Sequence, residues 1–392
     1  MSKINCFELF AGCGGLGYGF HKEGFNIVGC NELEESIGAT YKTNFPTTNV
    51  IVGNITDSKI KSRIYDLFDT KTRCDVIIGG PPCVAYSMAG HRNSRDPRGQ
   101  LFNDYVEVVR TLKPKVFVME NVKGILTMMH DKPVLTPEEK QIADAYYALE
   151  KRKLDLQAQK KVATDEKGKK GLADSLKKVQ SELKQMEHKT HLFRMNVTDI
   201  IKNAFLELGY DVHMKLLNSA NYGVPQKRER VIIVGVRKDL GKRWSYPEET
   251  HNKDGSNGKK KWISVKDAID DLKDLPENKA GLQHIYTAHS ADFLEKIKKT
   301  PIGKSVNPKY SEAFYRCDPN GPSNTVKENH GGVFIHYEKH RVMTPRELAR
   351  LQSFPDNFKF KGSKSNILVQ LGNAVPCGLS QALAKQINTL FK

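Results

Sequence analysis

The feature that most constrains this chain is a rhythm. Short runs rich in β-forming residues alternate with helix-like stretches, at Cys6 to Phe10, Ile27 to Cys30, Val50 to Val52, Asp75 to Ile78 and Val116 to Met119. Parallel neighbours need a crossover long enough to hold a helix, so this alternation predicts an α/β fold around a doubly wound, mostly parallel sheet. The pattern resumes at Tyr210 to Leu217 and Val231 to Val236, which are expected to add the two later strands of the same domain. In such a sheet, ligands gather outside the carboxyl ends of the strands.

Two stretches break the rhythm. Between about 131 and 191 the composition turns to Lys, Glu, Asp, Gln, Ala and Leu, and Leu172, Leu176, Val179, Leu183 and Met186 are spaced four and three apart. That heptad stripe, with a similar one beginning at Ile142, Tyr146 and Leu149, predicts an inserted helical hairpin turning at Thr164 to Gly171. It reads either as a solvated spacer or as an arm that contacts DNA or a partner. Residues 238–340 lose the βα rhythm and carry a flexible basic run from Asp254 to Lys261, so they read as a smaller irregular domain. Thr344 to Phe354 and Pro376 to Phe391 then read as helices, leaving 1–237 and 341–392 to form the main domain.

Lys and Arg number 62 against 45 Asp and Glu, a formal charge of +17, which favours a polyanionic partner. No apolar run approaches the roughly 18 residues that span a bilayer, so the expected setting is the cytoplasm, or the nucleus of a eukaryote. The seven cysteines show no C-x-x-C pair and no His at zinc-ligand spacing, so neither a metal nor a disulfide framework is expected.

Two motifs sit where that sheet should open. The first strand runs into Phe10-Ala-Gly-Cys-Gly-Gly-Leu-Gly17, which places Gly12, Gly14 and Gly17 at G-x-G-x-x-G spacing, with Glu32 ending the next strand. Glycines let backbone approach a ligand and a carboxylate accepts from ribose hydroxyls, so a nicotinamide dinucleotide, S-adenosylmethionine or a merely tight turn all fit. Downstream, Gly79-Gly-Pro-Pro-Cys83 closes the fourth strand and Met119-Glu-Asn-Val122 closes the next, which brings a thiol and an acid to one edge. Hydride transfer has no use for that thiol.

Taken in order, Phe10-Ala-Gly-Cys-Gly-Gly15, Pro81-Pro-Cys83, Glu120-Asn-Val122, Gln226-Lys-Arg-Glu-Arg230, Arg346 to Asp356 and Gly372-Asn-Ala-Val-Pro376 resemble the signature blocks of the DNA cytosine-5 methyltransferases, notably those of bacterial restriction-modification systems. Six blocks in one order cover both ends of the chain and leave only the helical insertion and the irregular domain unmatched.

The resemblance implies a Rossmann-like domain that binds S-adenosylmethionine and methylates C5 of cytosine in double-stranded DNA. It makes Cys83 the nucleophile that adds to C6, a step that breaks aromaticity and arms C5. Glu120 would be the acid at N3, Asn121 would orient the Pro-Pro-Cys loop, and Arg228 and Arg230 would hold the flipped nucleotide or that loop. The cofactor would meet Phe10, Gly12, Gly14, Glu32, Asn54, Ile55, Pro81, Asn373 and Val375. Asn54 stands where the family usually has Asp and would keep the adenine contact without the charge, and Val84 stands where it more often has Gln, so that contact would be absent or supplied by another residue from Ser87 to His91.

DNA contacts are expected from Gln226 and from the basic stretch Tyr86 to Leu101, which carries Ser87, His91, Arg92 and Arg95 and would close over the duplex. The irregular region takes the place of the family's recognition module. A monomer that protects DNA, alongside a separately acting restriction endonuclease, is the expected setting. Rival readings are a tRNA methyltransferase of the same family, which usually shows a Cys-Phe-Thr signature absent here, and a catalytically silent DNA-binding relative.

Overall fold

The computed structural model describes residues 3–82, 101–277, 281–309, 313–328 and 334–392. Along the chain these form β1 (Asn5–Leu9), α1 (Gly15–Lys22), β2 (Asn26–Glu32), α2 (Glu35–Asn44), β3 (Asn49–Val52), α3 (Ser58–Tyr65), β4 (Val76–Gly79), α4 (Leu101–Leu112) and β5 (Val116–Val122). Next come β6 (Met129–Asp131), α5 (Pro137–Val162), α6 (Glu166–Glu187), α7 (Thr190–Phe193), β7 (Arg194–Asn196) and α8 (Val197–Glu207). The remainder holds β8 (Tyr210–Asn218), β9 (Glu229–Arg237), β10 (His251–Asn252), β11 (Lys260–Lys261), α9 (Val265–Ile269), α10 (Ala291–Lys299), β12 (Tyr315–Arg316), β13 (Phe334–Ile335), α11 (Pro345–Leu351), α12 (Lys364–Asn373) and α13 (Cys377–Asn388).

The described residues divide into two compact units, one of 3–82, 101–123 and 205–392, the other of 124–204. The larger is built on a seven-stranded sheet in the order β3-β2-β1-β4-β5-β9-β8. Its central strands are buried on both faces, and Val76, Ile77, Ile78, Val116, Phe117 and Val118 are wholly enclosed, as their unbroken apolar runs require. β1 pairs in parallel with both β2 and β4, so the chain order reverses across β1 and β4, where Leu9 faces Gly79. A ligand crevice opens at that kind of reversal.

The two later strands complete the sheet: β9 lies between β5 and β8 and runs antiparallel to both. The connection from Asn218 to Glu229 is too short for a crossover helix, so β8 and β9 form a hairpin and only β9 runs against the rest. The sheet is therefore mostly parallel.

Both ends of the chain close on one core. Gly19 of α1 lies so near α13 that a Cβ there would stand 2.3 Å from the backbone nitrogen of Gln381. Residues 238–340 belong to the same unit, and Val265, Ile269, Cys317, Val326 and Phe334 join a core shared with Leu348, Leu371 and Leu383.

The smaller unit is the helical insertion. Thr136 caps α5 with a full capping box, and Asp165 caps α6 by accepting from the amide of Gly168 at 2.6 Å. That cap corrects the expected turn: α6 already begins at Glu166, the connection shrinks to 163–165, and the Lys-rich segment 166–171 is helical. The heptad stripe faces inward, yet only Val179 of α6 is fully buried, because a lone antiparallel pair covers just one side of each helix.

Candidate active site

At the reversal point the loop after β1 adopts a strained, open turn. Phe10 takes a left-handed φ of 53°, and the Ala11 amide donates to the carbonyl of Asn31 at 2.9 Å. Gly12, with φ 55°, has open space where a Cβ would stand, and its amide donates to the Glu32 carboxylate at 2.8 Å. Glu32 also accepts from the Glu34 amide at 3.1 Å, and burial pushes its carboxyl above the usual range. A cavity of about 690 Å³ opens here, lined by Phe10, Gly12, Glu32, Asn54, Ile55, Pro81, Asn373 and Val375 among others. That volume lies within the range of small-molecule sites.

Glu120 stands on the same cavity at the carboxyl end of β5. Its carboxylate pairs with the guanidinium of Arg230, Nε to Oε1 at 2.7 Å, with both side chains 12 % exposed. The antiparallel register of β9 makes this pair, because Arg230 sits opposite Val122 and its side chain reaches back along the neighbouring strand. The other carboxylate oxygen faces Gly80, where a Cβ would approach it to 2.8 Å. Asn121 is buried and donates its amide to the carbonyl of Pro81 at 3.3 Å, tying β5 to the turn that leads to Cys83.

The cavity thus joins a buried carboxylate beside a glycine turn, Glu32, to an ion-paired acid, Glu120, next to Pro81 and Pro82. A family model described as C-5 cytosine-specific DNA methylase matches residues 4–149 and 181–389. The chain belongs to that family.

Among curated relatives, the methylase is 32% identical to the type II methyltransferase M1.HphI of Haemophilus parahaemolyticus, over 98% of this chain and 87% of that one. It is also 32% identical to M.NgoFVII of Neisseria gonorrhoeae, over 100% and 88%. The enzyme is a cytosine-5 methyltransferase of the restriction-modification type. Its fold is similar to a putative DNA modification methyltransferase encoded within an Escherichia coli prophage, with a TM-score of 0.65, 23% identity and 99% of each chain covered. A DNMT2 from Spodoptera frugiperda has the same fold, with a TM-score of 0.58, 17% identity and complete coverage of both chains.

Gln226 and Gly14 of this methylase occupy places other than those expected, while Arg228 lines the cavity with its guanidinium held inside the protein. Gln226 is fully buried: its amide donates to Leu351 O at 3.1 Å and to Gln352 Oε1 at 2.9 Å, and its oxygen accepts from the Val326 amide at 2.8 Å. A side chain so engaged inside the protein has no free edge for DNA. Arg228, 2 % exposed, donates to the carbonyls of Val326 at 2.8 Å and Gly372 at 2.9 Å, so it fastens the segments that carry Val326 and Asn373. Gly14 caps α1 with φ 93° and packs toward Tyr41 and Phe45; its neighbour Gly15 lines the cavity instead.

Asn54 lines the cavity, and its side-chain oxygen already accepts from the Thr56 amide at 3.1 Å. Cys83, Val84, Ser87, His91, Arg92 and Arg95 lie outside the described residues. Sequence reasoning missed Glu8, Leu33, Glu328 and the α12 face of Ser365, Asn366 and Val369, all on the cavity. The one- and four-residue spacing on α12 is a helical signal that could have found the last three. Glu8 is buried, accepts from Tyr41 Oη at 2.6 Å and Gly17 N at 3.0 Å, and burial raises its carboxyl to about 8. The other six cysteines are buried free thiols, each raised by burial where a shift is resolved, with Cys13 pushed up to about 12.

Proposed function

We propose that this methylase transfers the methyl group of S-adenosylmethionine to C5 of a cytosine turned out of duplex DNA, with Cys83 as nucleophile and Glu120 as acid. The observation that carries the reading is Glu120, paired with Arg230 at 2.7 Å on the cavity that also holds Glu32 and Pro81.

The residues present suit the cofactor. Phe10, Leu33 and Ile55 offer apolar walls, and the Gly12 turn leaves its Cβ direction open. Glu32 accepts two protein amides, so lone pairs remain for ribose hydroxyls. When bound, S-adenosylmethionine supplies an electrophilic methyl group.

Inside a duplex, C6 is stacked out of reach, so the base is extruded first. The Cys83 sulfur bonds to C6 and its electron pair moves through the ring, while Glu120 shares a proton with N3 and offsets the charge that develops there. With the cofactor bound, C5 would take the methyl carbon as its bond to the sulfonium sulfur breaks and a neutral thioether leaves; C5 would then give up its proton to solvent base, N3 would return its proton to Glu120, and the C6–S bond would break to regenerate the thiolate. Arg230 fixes the direction of the Glu120 carboxyl, and Asn121 holds the backbone that presents Cys83. Residues 238–340 serve as the target-recognition region, and the setting is protection of DNA by a monomer whose cognate nuclease acts separately.

Transfer of labelled methyl to duplex DNA by wild type and by Cys83→Ser, with nucleoside analysis, tests the reading. The wild type is expected to yield 5-methylcytosine, and the variant to yield none while still binding DNA. A variant that transfers at the wild-type rate removes Cys83 as the nucleophile; label that enters tRNA and no duplex removes DNA as the substrate.

A further inference from the structure

The α5–α6 hairpin separates its charges along its length. From 137 to 150, at the root, four Asp and Glu stand against one Lys. From 151 to 170, around the far turn, eight Lys and Arg stand against three Asp and Glu. A helix kept soluble by its surface usually mixes the signs and pairs them every fourth residue. Here the ends are opposite.

The root is held and the tip is free. Tyr146, Tyr147 and Phe193 pack as one aromatic group, and the Arg194 guanidinium lies 4.8 Å from the Tyr146 ring and donates to Tyr147 Oη at 2.9 Å. Beyond Tyr147, the rest of α5 as far as Val162 extends for about 22 Å at the rise of an α-helix. Around the far turn, Lys160, Lys167, Lys169 and Lys170 line one shallow depression with Glu166, beside exposed Lys161. Among the described residues, no carboxylate lies within ion-pair reach of Lys160, Lys161, Lys167 or Lys170; Lys169 meets Glu166 at 3.6 Å.

The segment that the family model leaves unmatched, 150–180, contains this same basic tip, so the tip lies outside the family's matched blocks. No Phe, Tyr or Trp occurs from 148 to 192. A protein partner is gripped by aromatic anchors, which the tip lacks, and the tip carries Arg152 as its single Arg, whereas a row of Lys point charges suits the regularly spaced phosphates of a duplex.

We propose that the hairpin tip binds the phosphate backbone of duplex DNA through Lys160, Lys161, Lys167, Lys169 and Lys170, as a sequence-independent clamp added to the methylase core. The proposal rests on DNA being the substrate. Each phosphate that the tip neutralises releases condensed counterions and steepens the salt dependence of binding by about 0.9 in log K against log salt.

The test uses the full chain and 40-base-pair duplexes, with affinity followed across a sodium chloride series. One variant changes those five lysines to Gln, and a second changes them to Arg; circular dichroism verifies that both keep their helix content. The Gln variant is expected to lose about 2 from the slope, or two phosphate contacts, and about tenfold in affinity at low salt. The Arg variant is expected to keep the wild-type slope. A Gln variant with the wild-type slope overturns the proposal, as does an Arg variant that behaves like the Gln one. A wild type that binds no duplex but binds and methylates RNA overturns the DNA reading itself, and the clamp with it.

Discussion

Arg230 and Glu120 show how little a residue's type says before its neighbours are placed. Removing the guanidinium in Arg230→Met leaves Glu120 without the contact that sets its direction. Single-turnover methyl transfer is then expected to fall about 100-fold, the lower end of the range for a misplaced general acid, with duplex affinity changed far less. Equal losses in rate and affinity would make Arg230 a DNA ligand instead. Glu8 offers a prediction of another kind. Its carboxyl rises from 4.5 to about 8 on folding, through burial, against the lowering pull of the hydrogen bonds from Tyr41 and Gly17. The folded state therefore holds a proton that the unfolded chain gives up above 4.5, and the stabilisation present below that value is lost as the pH climbs towards about 8. Thermal melts of wild type at about pH 5, 6.5 and 8 should show the decline, and Glu8→Gln should flatten it. A variant whose melting temperature falls as steeply as wild type would place the cause elsewhere.

Between elements, the contact that makes one unit of the two chain ends is the approach of α1 to α13. Ser380 Oγ donates to the carbonyl of Leu16, and the missing side chain of Gly19 lets the backbone at Ser380 and Gln381 lie against it. Because backbone cannot swing aside as a side chain can, Gly19→Ala is expected to cost about 2–3 kcal/mol, measured by urea unfolding. A cost near that of an exposed Gly→Ala change would mean that α13 shifts freely. The hairpin of β8 and β9 carries a similar constraint, since it places Arg228 just before β9 and Arg230 within it and sends one inward to Val326 and Gly372, the other to Glu120.

At the scale of the molecule, the outer hairpin is separable from the fold. Within 150–180 only Val179 is fully buried, so replacing that stretch by a short Gly-Ser turn removes little packed surface. The melting temperature of the remaining protein is expected to stay within about 2 °C of wild type, and a fall beyond about 5 °C would show that the arm supports the body. Six buried thiols in one chain carry no metal-ligating cluster among the described residues, so Cys83 draws its interest from its Pro-Pro turn rather than from cysteine chemistry in general.

The sequence by itself determined the layers and the chemistry of the cavity. Apolar runs of β-formers at regular intervals bury on both faces whatever surrounds them; Gly12, Glu32 and Glu120 could be named from where they stand at the ends of strands, and Phe10, Pro81, Asn373 and Val375 from the resemblance to the family's signature blocks. Tertiary structure decided what no local pattern encodes. The antiparallel course of β9 follows from a connection too short to cross over, and that course selects Arg230 as the partner of Glu120. Gln226 looks like a DNA contact in a basic motif and Arg228 like a clamp on the flipped nucleotide or the catalytic loop, yet both are buried, because the loop before β9 is covered by Val326, Leu351 and Gly372 from segments about 100 residues or more away. A polar side chain is legible as a ligand-binding group only when its hydrogen bonds are not already made inside the protein, and that depends on which distant carbonyls the fold brings to it.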